Sequence, residues 1–513
     1  MLRRGLAWLL VFLTALGCWP GQAQALITLE EERKIGREAY DEIMREVPLI
    51  TDPDILGYVR GLGNRLVAEL NDNPFTFTFN VADSGDLNAF ALPGGYIFFF
   101  RGMITALDSE AELAGILAHE ISHVSHRHLA HRMENTAPLN AAMLAGMLAG
   151  VLLGAVGNSP QMGQALTFGS LAGGIQAHLA FSREDEEQAD YAGFRLMTGL
   201  GYPGQEMAVS FNRIWRVERI MGAEVPNYLR SHPTSPQRME RMDDMARRGP
   251  AKQRPYDNTT FQVVKTRLIA LYDNEDTAQT TFQRQRRENP QDPMPMYGMA
   301  LLEGRRSRYE QALAYLRAVE AQWPGKPYIL RAQATAHLRL GEPAQAQALL
   351  RQVLLAQPED TSALSSLGQA YLQQDHLPEA RGVYERLVKL DPKDHEAIYN
   401  LGLTLGKMGR TSQASLYLGL AFQARGSERS ARFHLTKAAQ AADLSQEEHK
   451  RAEEALAKLD DREAKKHKQQ LEQERRRRDE ERRRDDERRR DDERRRPDPR
   501  NPDSTSRPWF IGR

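Results

Sequence analysis

Along the chain the apolar positions change their period several times, and each change marks a different element. Residues 6–16 form a run that is apolar apart from Thr14, behind Arg3 and Arg4 and ahead of Ala23, Gln24 and Ala25. A basic start, an apolar core and a small-x-small site predict a cleaved export signal over residues 1–25. Its apolar part falls short of the roughly 20 residues that a spanning helix needs. Residues 29–47 and 52–70 carry helical spacing. In the second, Asp52 and Pro53 form a helix start, and Ile55, Val59, Leu62 and Leu66 share one face. Phe75, Phe77 and Phe79 then alternate with threonine, the pattern of a half-buried strand. Residues 88–96 hold a Pro-Gly-Gly turn and lead into an apolar strand over 96–100. Ser109 and Glu112 predict a capping box that opens a helix running to about residue 131. Residues 139–156 are apolar apart from Asn140, with Gly146, Gly150 and Gly154 four apart. A close-packed lid or plug over a cleft is expected across 139–177, and a small-residue membrane helix is the competing reading.

From about residue 259 the period lengthens to 34. Ala278, Ala312, Ala346, Ala380 and Ala414 repeat at that interval, as do Pro290, Pro324, Pro358 and Pro392. Ala300, Ala334, Gly368 and Gly402 keep a second small-residue register. Alanine is needed where the two helices of a pair touch, and proline ends the second helix. This is the tetratricopeptide period, expected over 259–440. Beyond about 445 the charges dominate: DEERRR at 479–484 returns as DDERRR at 485–490 and 491–496. Acids three and four residues from arginines predict an exposed, salt-bridged helix or a disordered tail over 445–513.

At 513 residues the chain exceeds one core, so two or more domains are expected. Lys and Arg number 69 and so do Asp and Glu, which excludes a general pull toward nucleic acid. The one cysteine, Cys18, falls inside the export segment. The exported chain would then have neither disulfide nor thiol chemistry. Ala15-Leu16-Gly17-Cys18 loosely matches a lipid-attachment site, which competes with cleavage after residue 25.

The chemistry is carried by His119-Glu120-Ile121-Ser122-His123, an HExxH on the helix that opens at Ser109. The i, i+4 spacing puts both imidazoles on one face, as two ligands of a tetrahedral zinc require. Glu120 stands where its carboxylate can take a proton from a metal-bound water. A third ligand is needed. The pattern with a glycine three and a histidine six residues after the motif fails, because His126 and Leu129 stand there. Residues 182–190, SREDEEQAD, supply an alternative on a later helix capped by Ser182. Glu186 and Asp190 face the same way, one to bind metal and one to hold a ligand histidine. Glu184 and Glu187 point elsewhere. His126, His128 and His131 crowd behind the motif and are named as ligands in no case; packing is expected for His128.

HEISH at 119–123, SRxxExxAD at 182–190, NAFALPGG at 88–95, and Ser231-His232-Pro233 with Arg238 together resemble the HtpX-like and CAAX-prenyl-type zinc peptidases. The export signal and C-terminal repeats resemble the periplasmic branch of that family, over roughly residues 29–430. The resemblance implies a mainly α protein with a small β-sheet: an α+β zincin-type domain over 26–250, then an α-solenoid of repeats. It implies one zinc per chain, held by His119, His123 and Glu186, with Glu120 as general base and Asp190 behind a ligand. His232 would be a removable fourth ligand, and Arg238 would orient its loop or stabilise the oxyanion. An extended substrate would pair with the 96–100 strand. Unfolded or misassembled outer-membrane proteins are the implied substrates, and the barrel assembly machinery is the implied partner of the repeats. Two competing classes remain, a repeat-based chaperone or adaptor with a latent site and a membrane protease anchored through 139–156. Peripheral membrane contact is compatible with any of them.

Overall fold

In a computed structural model of the chain, residues 27–134, 181–221, 227–233, 235–249, 256 and 258–495 are described. The expected export signal, Cys18, the 139–177 segment and the end of the tail lie outside them. The chain divides into two compact units, Met1–Leu340 and Gly341–Arg513. Among the described residues no helix is long and apolar enough to cross a membrane.

The first unit opens with α1 (Leu29–Glu46) and α2 (Pro53–Val67). Thr28 and Glu31 close a capping box on α1, and the Asp52 carboxylate caps α2 by accepting from the amides of Asp54 and Ile55. A three-stranded sheet follows, β1 (Thr78–Ala82), β2 (Ala89–Leu92) and β3 (Tyr96–Phe100), in the order β1-β3-β2. β1 runs parallel to β3 and β2 antiparallel to it. Gly94 and Gly95 make the turn into β3 at φ +80° and +104°, and a Cβ on Gly95 would stand 2.6 Å from the Thr76 carbonyl oxygen.

Both faces of the sheet are covered. Phe79, Val81, Ile97 and Phe99 join α2 in one core, while Phe98, Phe100 and Ala82 join Ile35, Ala39 and Ile43 of α1 in another. Residues 75–79 are half-buried as expected, with Thr76 exposed between buried Phe75 and Phe79, but the strand is displaced toward Ala82. The strand begins at Thr78, because Asn73 holds Phe75 in a local turn through both its amide and its carbonyl. The order also corrects the expected substrate edge, since β3 is paired on both sides. On β1, Pro48 and Ile50 take the outer bonds to Asp83 and Val81. Among the described residues the open edge is β2.

Next come α3 (Arg101–Ala106), α4 (Glu110–Ser125) and α5 (His128–Glu134). The single helix expected to about residue 131 is therefore broken, with Arg127 in the left-handed region at φ 57°. The capping box at Ser109 is half formed. Ser109 accepts from the Glu112 amide, but the Glu112 carboxylate is drawn to Arg213 at 2.9 and 3.0 Å. α6 (Arg183–Gly199), α7 (Gln205–Met221), α8 (Asn227–Ser231) and α9 (Pro236–Arg248) complete the surroundings of α4.

The repeat helices begin with α10 (Asn258–Tyr272), α11 (Glu275–Glu288), α12 (Met294–Arg305), α13 (Tyr309–Gln322) and α14 (Pro327–Arg339). They are fastened to the rest of this unit by charge: Arg267 pairs with Asp52, and Arg331 reaches Asp54 at 2.7 Å. The second unit holds α15 (Pro343–Ala356), α16 (Thr361–Gln373), α17 (Leu377–Leu390), α18 (His395–Lys407), α19 (Thr411–Ala424), α20 (Glu428–Ala439) and α21 (Gln446–Arg495). The 34-residue register does what its spacing implied. Ala278, Ala312, Ala346, Ala380 and Ala414 are all buried, and a Cβ on Gly368 would lie 2.5 Å from the Tyr384 ring. The tail expectation needs one correction. The first turns of α21 are part of the core, with Ala452, Ala455 and Leu459 buried against Leu416 and Leu435. Small apolar residues three and four apart in a charged stretch suffice to dock one face of a helix.

Candidate metal centre

α4 is buried along its whole length from Glu110 to Val124, so its polar side chains need partners inside the protein. Its first turn finds them locally: the Tyr58 hydroxyl donates to Glu110 at 2.7 Å, and Arg65 reaches the same carboxylate at 3.2 Å. α6 lies against its middle. A Cβ on Gly193 would be 3.0 Å from the His119 amide nitrogen and 3.1 Å from the Ala118 carbonyl carbon, so the two backbones nearly touch there. That approach carries Glu186 and Asp190 to the HExxH face. Ser182 and Asp185 fix the start of α6 with a full capping box. His232 arrives from the end of α8 and Arg238 from the first turn of α9.

His119, His123, Glu186 and His232 converge, all buried, with their donor atoms within 4.8 Å of one another. His119 Nε2 is 3.0 Å from His123 Nε2 and 3.3 Å from His232 Nδ1. Glu186 Oε1 is 2.9 Å from His232 Nδ1 and 3.5 Å from His123 Nε2. Four donors about 2.0–2.2 Å from a tetrahedral ion are about 3.3–3.6 Å apart, so these residues fit a metal. The charges agree. Glu120, Glu186 and Asp190 are buried with one guanidinium, that of Arg238. With neutral imidazoles this set is formally two negative charges in excess, which a divalent cation balances.

Glu120 stands apart from the donors. Neither of its oxygens has a hydrogen-bond partner among the described residues, and the group nearest in charge is His232 Nε2 at 3.6 Å. Asp190 Oδ1 lies 3.0 Å from His119 Nδ1, on the side of the ring away from the donors. Arg238 grips both oxygens of Asp190 at 2.7 Å, pairs with Glu186, and donates to the Pro233 carbonyl at 3.1 Å. Its guanidinium is spent on these contacts, and its face lies over Phe211 at 4.7 Å. Glu187 is exposed and pairs with Arg241 at 2.8 Å, and Glu184 is exposed.

The ionisation pattern suits a ligand set. Burial, with His119 beside it, pushes His123 well below the ordinary imidazole range. Burial would raise Glu186, but His232 and Arg238 hold it low. Burial would also raise Asp190, and Arg238 with His119 overrides it. His232 goes the other way: burial opposes its charge, yet Glu186 and Glu120 raise it.

Several contacts had no sequence signal. Phe181 stacks on His123 at 3.9 Å, and Tyr228 stacks on His232 at 4.5 Å. His128, expected to pack, has its Nδ1 2.9 Å from His123 Nδ1. His126 bonds back to the Ser122 carbonyl and stays outside the donor set.

With this geometry in place, comparison with known proteins is specific. Residues 57–246 match the model of peptidase family M48, and 331–395 and 383–414 match tetratricopeptide repeats. A putative beta-barrel assembly-enhancing protease of Vibrio cholerae is 31% identical over 316 residues, which cover 60% of this chain and 64% of that protein. The beta-barrel assembly-enhancing protease of Escherichia coli K12 is 28% identical over 323 residues, 60% of this chain and 63% of that one. The mitochondrial metalloendopeptidase OMA1 of Schizosaccharomyces pombe is 28% identical over 223 residues, 42% and 62% of the two chains.

Proposed function

Because this chain belongs, through residues 57–246, to peptidase family M48 and carries tetratricopeptide repeats behind that domain, we propose that it is a zinc-dependent endopeptidase of the periplasm that acts on unfolded or misassembled outer-membrane proteins. One observation carries the reading: a buried three-histidine, one-carboxylate cluster with an unpartnered glutamate at its side. His119, His123 and Glu186 would hold the zinc, with Asp190, its Oδ1 3.0 Å from His119 Nδ1, orienting that ring. Bound zinc supplies Lewis acidity, which lowers the pKa of a water and polarises the scissile carbonyl. Glu120 takes the proton of the attacking water on its free carboxylate and passes it to the leaving amine. Arg238, fully engaged, positions Asp190 and the Pro233 loop rather than the oxyanion. The likeness to the beta-barrel assembly-enhancing proteases supports the substrate class, the periplasmic location and the barrel assembly machinery as the partner of the repeats. The purified protein should hold about one zinc per chain and cleave an unfolded barrel protein. A metal-free preparation with full activity would end this reading.

His232 favours a resting state that is closed. Its Nδ1 sits 3.3 Å from His119 Nε2 and 2.9 Å from Glu186, where the fourth position of a catalytic zinc would otherwise be open. His232→Ala is expected to raise cleavage of an unfolded substrate several-fold, measured at equal zinc content. Slower cleavage at full zinc would instead make His232 part of the catalytic machinery. A largely latent site would also let the repeats serve as a chaperone or adaptor surface.

An extended substrate needs an open strand edge, and among the described residues β2 offers it beside α4. Phe100 donates to the Asn88 carbonyl, and the β2–β3 register pairs Phe90 with Phe98 and Leu92 with Tyr96. The alternation of antiparallel ladders then turns the amides of Ala89 and Ala91 outward. Ala91→Pro removes one outward donor and spares the ladder to β3. KM for an unfolded protein should rise roughly tenfold, the worth of about one charge-free hydrogen bond, while zinc content stays constant. An unchanged KM would place the substrate elsewhere.

A further inference from the structure

Neither His128 nor Gln188 faces the metal donors, yet together they hold the far side of a ligand. His123 turns Nε2 toward His119 and Glu186, at 3.0 and 3.5 Å. Its Nδ1 is 2.9 Å from Nδ1 of the buried His128, whose Nε2 is 2.9 Å from Gln188 Oε1. On a straight helix residues five apart point roughly 140° away from each other. His128 reaches His123 only because the chain breaks at Arg127, in a left-handed conformation that side chains other than glycine's disfavour. The break is held from outside: Arg127 donates at 2.6 Å to the buried Glu32 carboxylate and at 2.6 Å to the Ile27 carbonyl.

The three groups stand in a row with one proton per link, so the protons can be ordered in two ways. If His128 donates from Nε2 to the Gln188 oxygen, its Nδ1 accepts from His123, and His123 Nε2 keeps a lone pair. In the reverse order His123 Nε2 carries the hydrogen and cannot bind a metal. Asp190, a carboxylate that only accepts, imposes one direction on His119; His123 has no carboxylate behind it. We propose that His128 and Gln188 are positioning residues: with Gln188 accepting through its Oε1, the hydrogen-bond row holds His123 as its Nδ1–H form with Nε2 free for the metal. The inference rests on the zinc-site reading above.

Full-length wild type, His128→Phe, His128→Gln, Gln188→Leu, Gln188→Glu and Glu186→Ala would be compared for zinc affinity by chelator competition, and for the melting temperature of the metal-free protein. His128→Phe should weaken zinc about 10–100-fold, as loss of an outer partner does. His128→Gln, whose amide oxygen can accept from His123, should stay within about threefold of wild type. Gln188→Leu should lose less, because water reaches this exposed end, and Gln188→Glu, which only accepts, should lose nothing. A packing role predicts the opposite order at His128, since phenylalanine keeps the ring beside His126 and Phe181. Tighter zinc binding in His128→Phe than in His128→Gln, or a loss in Gln188→Glu, overturns the row. Zinc bound as tightly by Glu186→Ala as by wild type would instead overturn the metal reading itself.

Discussion

Glu120→Gln should leave the metal in place and lower cleavage of an unfolded protein by about 10²–10⁴-fold, the usual contribution of a general acid–base group. The exchange keeps the shape of the side chain and removes only its basicity. Glu120 is fully buried, and its oxygens have no hydrogen-bond partner among the described residues. A buried carboxylate left in that condition is costly, and such cost persists where the group is used. Glu186 is the contrast. It lies in the same cluster but accepts from His232 and pairs with Arg238, so its replacement should cost the metal as well as the activity. Zinc content by elemental analysis beside a cleavage assay separates the two roles. If Glu120→Gln arrives without zinc, Glu120 belongs to the ligand set, and the proton must be moved by another group.

What could be read from the chain followed the range of each interaction. HExxH and the Glu186–Asp190 pair were legible because residues four apart on a helix share a face, whatever surrounds them. The repeat was legible for the same reason, since Ala278 and its successors mark helix contacts that recur locally. Features set by distant partners were not. The break at Arg127 depends on Glu32, 95 residues upstream, and the incomplete capping box depends on Arg213, 101 residues downstream of Glu112. Strand order is likewise a tertiary fact: the apolar run Tyr96–Phe100 shows that it is buried, not that β1 and β2 flank it. These omissions meet at the site. The broken helix brings His128 to His123, and the strand order gives β3, the expected substrate edge, a neighbour on each side.

Arg238→Met should be the most destabilising single change near the site, by about 3–5 kcal/mol, the loss typical when one partner of a buried ion pair is removed. Arg238 is 2% exposed and holds Asp190 by two bonds of 2.7 Å while pairing with Glu186. Methionine fills much of the volume over Phe211, so the loss is of charge more than of packing. The sign of the pH dependence follows from the wild-type ionisation. Both carboxyls sit below their ordinary values despite burial, held there chiefly by Arg238 and the histidines. They therefore contribute stability above the unfolded carboxyl range, and it is lost as pH falls through their lowered folded values. Without Arg238 the opposition of burial is no longer met, and the folded values move upward. The melting-temperature gap between wild type and Arg238→Met, both metal-free, should then be wide near about pH 7.5 and narrow toward about pH 5, as the variant's carboxyls take up protons. Adding Asp190→Asn to Arg238→Met should recover part of the loss, because it removes one of the stranded charges. A gap that is constant across this range would show that Arg238 stabilises the site by packing alone.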